Sequence, residues 1–183
     1  MAKRTNWWLE GWQYEESLGP GGRRQRKLVY KGEYYTFGME KRRLKAYKAV
    51  MLSLTLVLTF AYVLAFALTK NSAPRIFAGA CMLIVIPLMY LLIGTGCLVS
   101  AKDPLTYRDH RGSVMRIRWT SVTVAGLSAI GVIGELLHLL TGGGRTSTEF
   151  WWLAGMSVTC LSAIAIALLE HRHHPRLVPP ELR

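Results

Sequence analysis

The chain has 183 residues, of which 51% are hydrophobic, and a formal net charge of +12. This length fits a single domain. High apolar content and high charge fit one chain only when they are segregated, and nearly all lysines and arginines lie outside four apolar stretches between Ala49 and Leu169. This segregation excludes an ordinary water-soluble domain and indicates an integral membrane protein.

Each apolar stretch is long enough to cross the bilayer as a helix, since about 30 Å of hydrocarbon takes roughly 20 residues at about 1.5 Å per residue. None alternates with the two-residue period of a strand, and helices are the open-ended elements that lipid tolerates. The predicted fold is an all-α membrane protein, a bundle of four transmembrane helices. The predicted spans are residues 49–69, 76–99, 119–141 and 150–169.

Residues at the span ends predict where the helices begin and end. The Asn-Ser-Ala-Pro run at 71–74 predicts the start of the second helix, and the three glycines at 142–144 predict the end of the third. Thr146 and Glu149 have capping-box spacing for the fourth helix. The predicted interfacial anchors are Trp119, Trp151 and Trp152.

The distribution of lysine and arginine predicts the orientation. Residues 1–48 hold twelve, the loop 100–118 holds five and the tail 170–183 holds three, whereas the other two loops hold Lys70, Arg75 and Arg145. Because cytoplasmic loops retain positive charge, both termini are expected in the cytoplasm, with the chain in the cell membrane.

The N-terminal region, residues 1–48, is rich in aromatic and basic side chains and is interrupted by Gly-Pro-Gly-Gly at 19–22. Two β-prone segments around a Lys31-Gly32 turn predict a short β-hairpin over residues 27–37. The cations before the first span are expected to attract anionic lipid headgroups and to anchor that span, and no nucleic-acid partner is expected. The predicted lipid contacts are Arg23, Arg24, Arg26, Lys27, Lys41, Arg42, Arg43, Lys45 and Lys48.

The third span carries two strongly ionisable groups, Glu135 and His138, which lie three residues apart and therefore on one helix face. Small and polar residues extend this face at spacings of three and four. Because small residues let helices approach closely, this stripe is expected to face protein, at the centre of the bundle or of an oligomer. The helix-packing stripe consists of Ser121, Ala125, Ser128, Gly131 and Gly142.

Glu135 lies six residues before Thr141, about 9 Å below the end of the span. An ionised carboxylate facing hydrocarbon would cost at least about 2.5 kcal/mol, so a polar partner is expected at the same depth. The predicted partners are Thr59, Tyr62 and Ser157. Two interpretations stay open: a proton or cation relay site, and a buried Glu–His pair that only fixes helix packing.

The chain contains no phosphate-binding glycine loop, nucleophile elbow or metalloprotease signature, so neither catalytic residues nor a cofactor is predicted. The histidines of the tail match no structural zinc spacing, so no metal site is predicted. The preferred hypothesis is a non-catalytic membrane protein that acts through helix association, as a homo-oligomer or as a subunit of a membrane complex. The alternatives are a small oligomeric transporter or channel that uses Glu135 and His138, and a membrane enzyme with these two residues as an acid–base pair.

Overall fold

The structure of the protein, a computed structural model, describes residues 12–18, 24–68, 82–141 and 147–178. Within them, the helices are α1 (Lys41–Leu68), α2 (Val85–Ser100), the short α3 (Tyr107–His110), α4 (Arg116–Leu140) and α5 (Ser147–Arg172). A π-helical turn, Arg111–Met115, joins α3 to α4. The strands are β1 (Trp12–Leu18), β2 (Arg24–Tyr30), β3 (Tyr34–Thr36), β4 (Leu105–Thr106) and β5 (Arg176–Leu177).

Three helical segments of the described chain are long and apolar enough to cross a membrane. They are α1 over Lys41–Ala67, α3 with the π-helical turn and α4 over Tyr107–Leu140, and α5 over Glu149–Arg172. This finding supports a membrane protein and confirms three of the four predicted spans as apolar helices of sufficient length. The 16 residues of α2 rise about 24 Å, less than the roughly 30 Å of hydrocarbon, so a fourth crossing is not confirmed. The predicted helix ends at 71–74 and 142–144, and Thr146, lie outside the described residues.

Neighbouring helices run antiparallel. Near the start of α1, Lys48 reaches the carbonyl of Ala101 beyond the end of α2, and further along the hydroxyls of Thr55 and Thr95 lie 3.1 Å apart. In the same way, Cys160 of α5 approaches the carbonyl oxygen of Ala125 on α4 at 3.7 Å, and His174 after the end of α5 meets His110 before the start of α4.

The four longer helices form a ring in the order α1, α2, α4 and α5, because extensive packing joins each helix to two others. Close approaches mark two of these contacts: Gly94 of α2 faces Ile117 of α4, and Gly155 of α5 faces Ala65 of α1. The third predicted span therefore occupies one side of the ring. It packs against α2 on one side and against α5 on the other.

A three-stranded antiparallel sheet, in the order β4-β3-β5, lies at one end of the ring. It pairs the segment before α1 with the loop after α2 and with the tail after α5. In register, Tyr35 faces Leu105 on one side and Leu177 on the other. Three segments that are distant in the sequence therefore meet at the same end.

The hairpin predicted over residues 27–37 is wrong in its pairing. β2 pairs instead with β1, in a register that sets Glu15 opposite Lys27 and Glu16 opposite Arg26. Residues 19–23, which include the Gly-Pro-Gly-Gly run, separate the two strands in the sequence. β3 follows β2 in the chain, after Lys31-Gly32, but pairs in the three-stranded sheet with β4 and β5.

The aromatic anchors divide into two kinds. Trp119 and Trp151 are exposed on the outside of the helix ring, as an interfacial position requires. Trp152 is 2% exposed and packs in the core, so its prediction as an anchor is wrong. Adjacent helix positions point about 100° apart, and this difference turns Trp152 inward.

Candidate functional site

Glu135 lies on the inner face of α4, among small and hydroxyl side chains. It is 1% exposed, and neither of its carboxylate oxygens accepts a hydrogen bond. An ionised carboxylate without donors loses the solvation of water and gains nothing in exchange. The polar group predicted inside the third span is therefore buried in the protein interior without a hydrogen-bond partner.

Two further ionisable groups, Glu149 and His138, lie within electrostatic range of Glu135. Glu149 is in the first turn of α5, is 4% exposed and has an interaction of its own. His138, one turn beyond Glu135 on α4, is half-buried. The structure thus brings a second buried carboxylate within electrostatic range of Glu135. Spacing along the chain does not reveal this pair, because the two residues belong to different helices.

None of the three predicted partners of Glu135 makes a hydrogen bond to its carboxylate. The hydroxyl of Thr59 donates to the backbone carbonyl of Thr55 at 2.7 Å, the ring of Tyr62 packs on Phe66, and Ser157 is half-buried on α5. Because the Glu135 oxygens accept no hydrogen bond, the pairing with Thr59, Tyr62 or Ser157 is not made. Threonine in a helix readily bonds to the carbonyl four residues earlier, which removes it as a donor.

The helix-packing stripe faces the interior of the ring. Ser121, Ser128 and Gly131 are buried and Ala125 is half-buried, whereas Gly142 lies outside the described residues. The hydroxyl of Ser128 has no hydrogen-bond partner. The described part of the stripe thus packs inside one copy of the chain.

A second group of ionisable side chains, the end cluster, consists of Tyr35, His110, Glu170 and His174. Oε1 of Glu170 lies 2.6 Å from Nδ1 of His174, one turn further along the chain. The rings of His174 and His110 meet edge to face with centroids 5.7 Å apart. Tyr35 stacks on His110 with ring centroids 4.2 Å apart and planes 8° apart. The cluster lies at the end of the ring that carries the small sheet, opposite to Glu135.

Burial sets the charge of Tyr35 and His110 in the end cluster. His110 is 7% exposed and its Nε2 has no partner, and Oε2 of the buried Glu170 likewise has none. Burial, aided by the neighbouring His174, lowers the pKa of His110 to about 4. Burial and the hydrogen bond to Glu33 raise the pKa of Tyr35. At neutral pH the stacked pair is therefore an uncharged phenol on an uncharged imidazole.

Sequence reasoning missed this cluster. The four-residue spacing of Glu170 and His174 is a signal that could have found half of it. No signal marks His110, whose position depends on the π-helical turn that follows it. Within the described part of the chain, no three histidine, cysteine, aspartate or glutamate side chains are arranged to hold a metal ion.

The predicted lipid contacts are exposed where the structure describes their side chains, with one exception. Lys41, Arg42, Arg43 and Lys45 project from the first turns of α1, and Arg26 from β2. Arg23 lies outside the described residues. For Arg24 and Lys27, the structure describes only the backbone, which belongs to β2.

Lys48 is the exception, because its ammonium group binds the end of α2. Its Nζ lies 2.5 Å from the carbonyl oxygen of Ala101 and 3.5 Å from that of Val99. The last carbonyls of a helix lack partners within it, and a cation there also favours the helix dipole. Lys48 therefore ties the start of α1 to the end of α2, and its contact with lipid stays a prediction.

An apolar groove of about 480 Å³ opens between α1 and α5 on the outside of the ring. It exists because small residues bring the two helices close together: a Cβ at Gly155 would lie 2.7 Å from the Cβ of Ala65. Its floor contains Ala61, Ala65 and Gly155, and its walls contain Phe60, Leu64 and Trp151. The lining is apolar, so it can accept hydrocarbon or an apolar helix face.

Comparison with known proteins finds no relative: no family model, curated protein or solved structure matches the chain. The geometry of Glu135, the end cluster and the groove is therefore the basis for function.

Proposed function

We propose that the chain is a multi-pass protein of the cell membrane, with four spans and both termini in the cytoplasm. The excess of lysine and arginine in residues 1–48, 100–118 and 170–183 supports this orientation. The sheet β4-β3-β5 supports it too, because it gathers parts of these three basic segments at one end of the ring.

We infer that this protein is a small transporter or channel, not an enzyme, and that Glu135 binds the proton or small cation that it moves. The observation that carries this inference is the pair of Glu135 oxygens, buried without a hydrogen-bond donor. Ionisable residues within a membrane span are costly and usually mark ion or proton pathways. A proton or a cation at Glu135 would remove the cost.

The surroundings of Glu135 favour this function over a packing role. A packing pair would have a hydrogen bond between Glu135 and His138, and the Glu135 oxygens make none. The nearby Glu149 adds a second carboxylate, which increases the attraction for a positive charge. Ser128, two turns from Glu135 and about 10 Å away along α4, supplies a buried hydroxyl without a partner for water or an ion.

The test is ion flux in liposomes that contain the purified protein. Wild type is expected to dissipate a proton, sodium or potassium gradient, and Glu135→Gln is expected to reduce this flux to that of empty liposomes. Glu40→Gln, at an exposed carboxylate outside the spans, is the matched control and should keep the wild-type flux. Equal flux in wild type and Glu135→Gln, or no flux above empty liposomes for any of the three ions, would refute the proposal.

Association is the second candidate, as a homo-oligomer or as a subunit of a membrane complex, and the groove between α1 and α5 favours it. The small residues of the floor allow a helix of a second copy to approach closely, which is how helices associate in lipid. The proposed role of the groove is independent of Glu135. A non-conducting protein with a stable oligomer would leave association as its function.

Filling the groove tests this second candidate. Ala154→Trp, at a lining position, should lower the oligomeric fraction counted by single-molecule photobleaching in vesicles. The control is Ile130→Trp, on the exposed face of α4. A wild-type protein that is monomeric, or an oligomer that both variants leave unchanged, would rule out self-association through the groove.

We propose anionic lipid headgroups as a partner of the exposed cations at the start of α1. Each basic residue near an anionic surface contributes about 1 kcal/mol. Replacing Lys41, Arg42, Arg43 and Lys45 by glutamine should reduce the amount of anionic lipid that co-purifies with the protein, measured by mass spectrometry. Unchanged lipid recovery would argue against these four as the contact.

A further inference from the structure

The end cluster joins segments that are far apart in the sequence: Tyr35 precedes the first helix, His110 lies between α2 and α4, and His174 follows α5. The backbone pairing that holds these segments together is short. β4 and β5 contribute two residues each beside β3, and the amide of Val178 adds one hydrogen bond to the carbonyl of Tyr34 at 2.8 Å. Side-chain contacts in the end cluster therefore contribute substantially to this junction.

We propose that the end cluster is an acid-sensitive latch that holds the N-terminal segment and the C-terminal tail against the loop between α2 and α4 while His110 is neutral, and releases them when His110 gains a proton. This latch goes beyond ion binding at Glu135 and does not depend on it.

In the closed state, a protonated His110 would bury an N–H group that has no hydrogen-bond acceptor. An imidazolium carries an N–H on both nitrogens, and Nε2 of His110 is buried without an acceptor. One ring contact of His110 is with Tyr35 and another is with His174, a second titratable imidazole. Separation of the segments would expose His110 to water, which solvates the cation.

The charged groups around His110 do not offset this cost. Oε1 of Glu170 lies 2.6 Å from Nδ1 of His174, and its Oε2 makes no hydrogen bond to His110. Asp109 accepts a hydrogen bond from the Thr106 hydroxyl at 2.9 Å. The titratable and charged groups around His110 are Tyr35 on β3, Glu170 and His174 at the end of α5, and Tyr107, Arg108, Asp109 and Arg111 in its own segment.

The direction of the pH dependence follows from the two states. The ordinary pKa of histidine, 6.5, applies to the open latch, and the pKa of about 4 applies to the closed latch. The open state therefore binds more protons, and the closed state is fully favoured above about pH 6.5 and is weakened as the pH falls toward about 4. Linkage between these two pKa values makes opening about 30-fold more favourable at pH 5 than at pH 7.5.

Hydrogen–deuterium exchange on the whole protein in lipid nanodiscs measures this opening, even when the open state is rare. After correction for the intrinsic pH dependence of exchange, the protection of the Val178 amide should fall about 30-fold between pH 7.5 and pH 5. The amide of Ala101, which bonds to Cys97 at the end of α2 outside the latch, is the internal reference and should keep its protection. A wild-type Val178 amide whose protection does not change would overturn the proposal.

Variants identify the titrating group. His110→Phe keeps a ring for Tyr35 but cannot gain a proton, so it should abolish the loss of protection, and His110→Gln serves the same purpose if the first variant does not fold. His171→Phe, at an exposed histidine in the last turn of α5, should keep the wild-type response. A response that survives in His110→Phe or His110→Gln, or that disappears in His171→Phe, would assign the switch to another group and overturn the proposal.

Discussion

Buried polar atoms without partners are concentrated at the two ends of the ring in the described chain. Glu135 lies at one end, His110 and Glu170 lie at the other, and Ser128 lies between them. Burial of such an atom without a partner costs about 1–3 kcal/mol. A fold keeps this cost where the atom holds a proton, an ion or water. At the scale of single residues, these positions are where exchange with the surroundings is expected.

Lys48 is a residue whose role is structural. Lys48→Met should lower the free energy of unfolding by about 1–2 kcal/mol, because the carbonyls at the end of α2 lose a charged donor. Denaturant unfolding in detergent micelles measures the change. Lys45→Met, at an exposed position one turn earlier, should have little effect. Equal destabilisation by both substitutions would contradict the capping role.

Gly32 leaves room for the ring of Tyr30, which ties the N-terminal segment to α3. The Tyr30 hydroxyl accepts from the amide of Tyr107 at 3.0 Å, and a Cβ at Gly32 would lie 2.5 Å from that hydroxyl oxygen. Gly32→Ala should therefore displace the ring and increase proteolysis within residues 24–36. Gly112→Ala, where a Cβ meets nothing within 4 Å, is the control. Unchanged proteolysis of Gly32→Ala would show that Tyr30 adapts.

At the scale of elements, local patterns predicted three helices well and the strands poorly. Apolar length predicts α1, α4 and α5 because the signal lies within each segment. The β1–β2 hairpin was missed, although its register pairs the backbone of Glu15 with that of Lys27. The partners of β3 come from residues 105–106 and 176–177, and pairing over such separations leaves no local pattern to read.

The close contact of α1 with α5 makes a prediction at the same scale. Gly155→Ala should destabilise the protein, because its Cβ would meet the Ala61 carbonyl at 3.0 Å and the Ala65 Cβ at 2.7 Å, and neither is a flexible side-chain end. Overpacking of this kind costs about 1–3 kcal/mol. Gly126→Ala, in open space on α4, should be neutral or stabilising. Thermal unfolding of both variants in detergent measures the change in stability. A Gly155→Ala protein as stable as wild type would contradict the overpacking between α1 and α5.

In the candidate site too, the features of a single helix were predicted and the contacts between helices were not. Glu135 and its stripe were predicted because one helix face is read directly from the spacing. The proximity of Glu149 and the whole of the end cluster depend on how helices pack, so the spacing within one helix does not contain them. The predicted hydroxyl partners were wrong because equal depth in the membrane does not fix the direction of a side chain, and the Thr59 hydroxyl bonds to its own helix.

At the scale of the whole molecule, the ends of the ring differ in charge and construction. One end carries the sheet, the end cluster and the exposed cations of α1, and the other carries Glu135 and Glu149. β3 precedes the first helix and pairs with β5, which follows the last, so residues 34–36 and 176–177 lie together. Segments on one side of a membrane are separated by an even number of crossings. With three long helices, the region of α2 is therefore expected to supply the fourth.

Impermeant labelling of single cysteines in intact cells tests this topology. With the native cysteines replaced by alanine, cysteines at Lys70 and Arg145 should react in intact cells, and those at Lys102 and Arg176 only after lysis. The short α2 can still cross, because a thin bilayer region or flanking residues accommodate a mismatch at a modest cost. The position at Lys102 is decisive, since it follows α2 directly. Its reaction in intact cells together with that at Lys70 would mean that α2 does not cross.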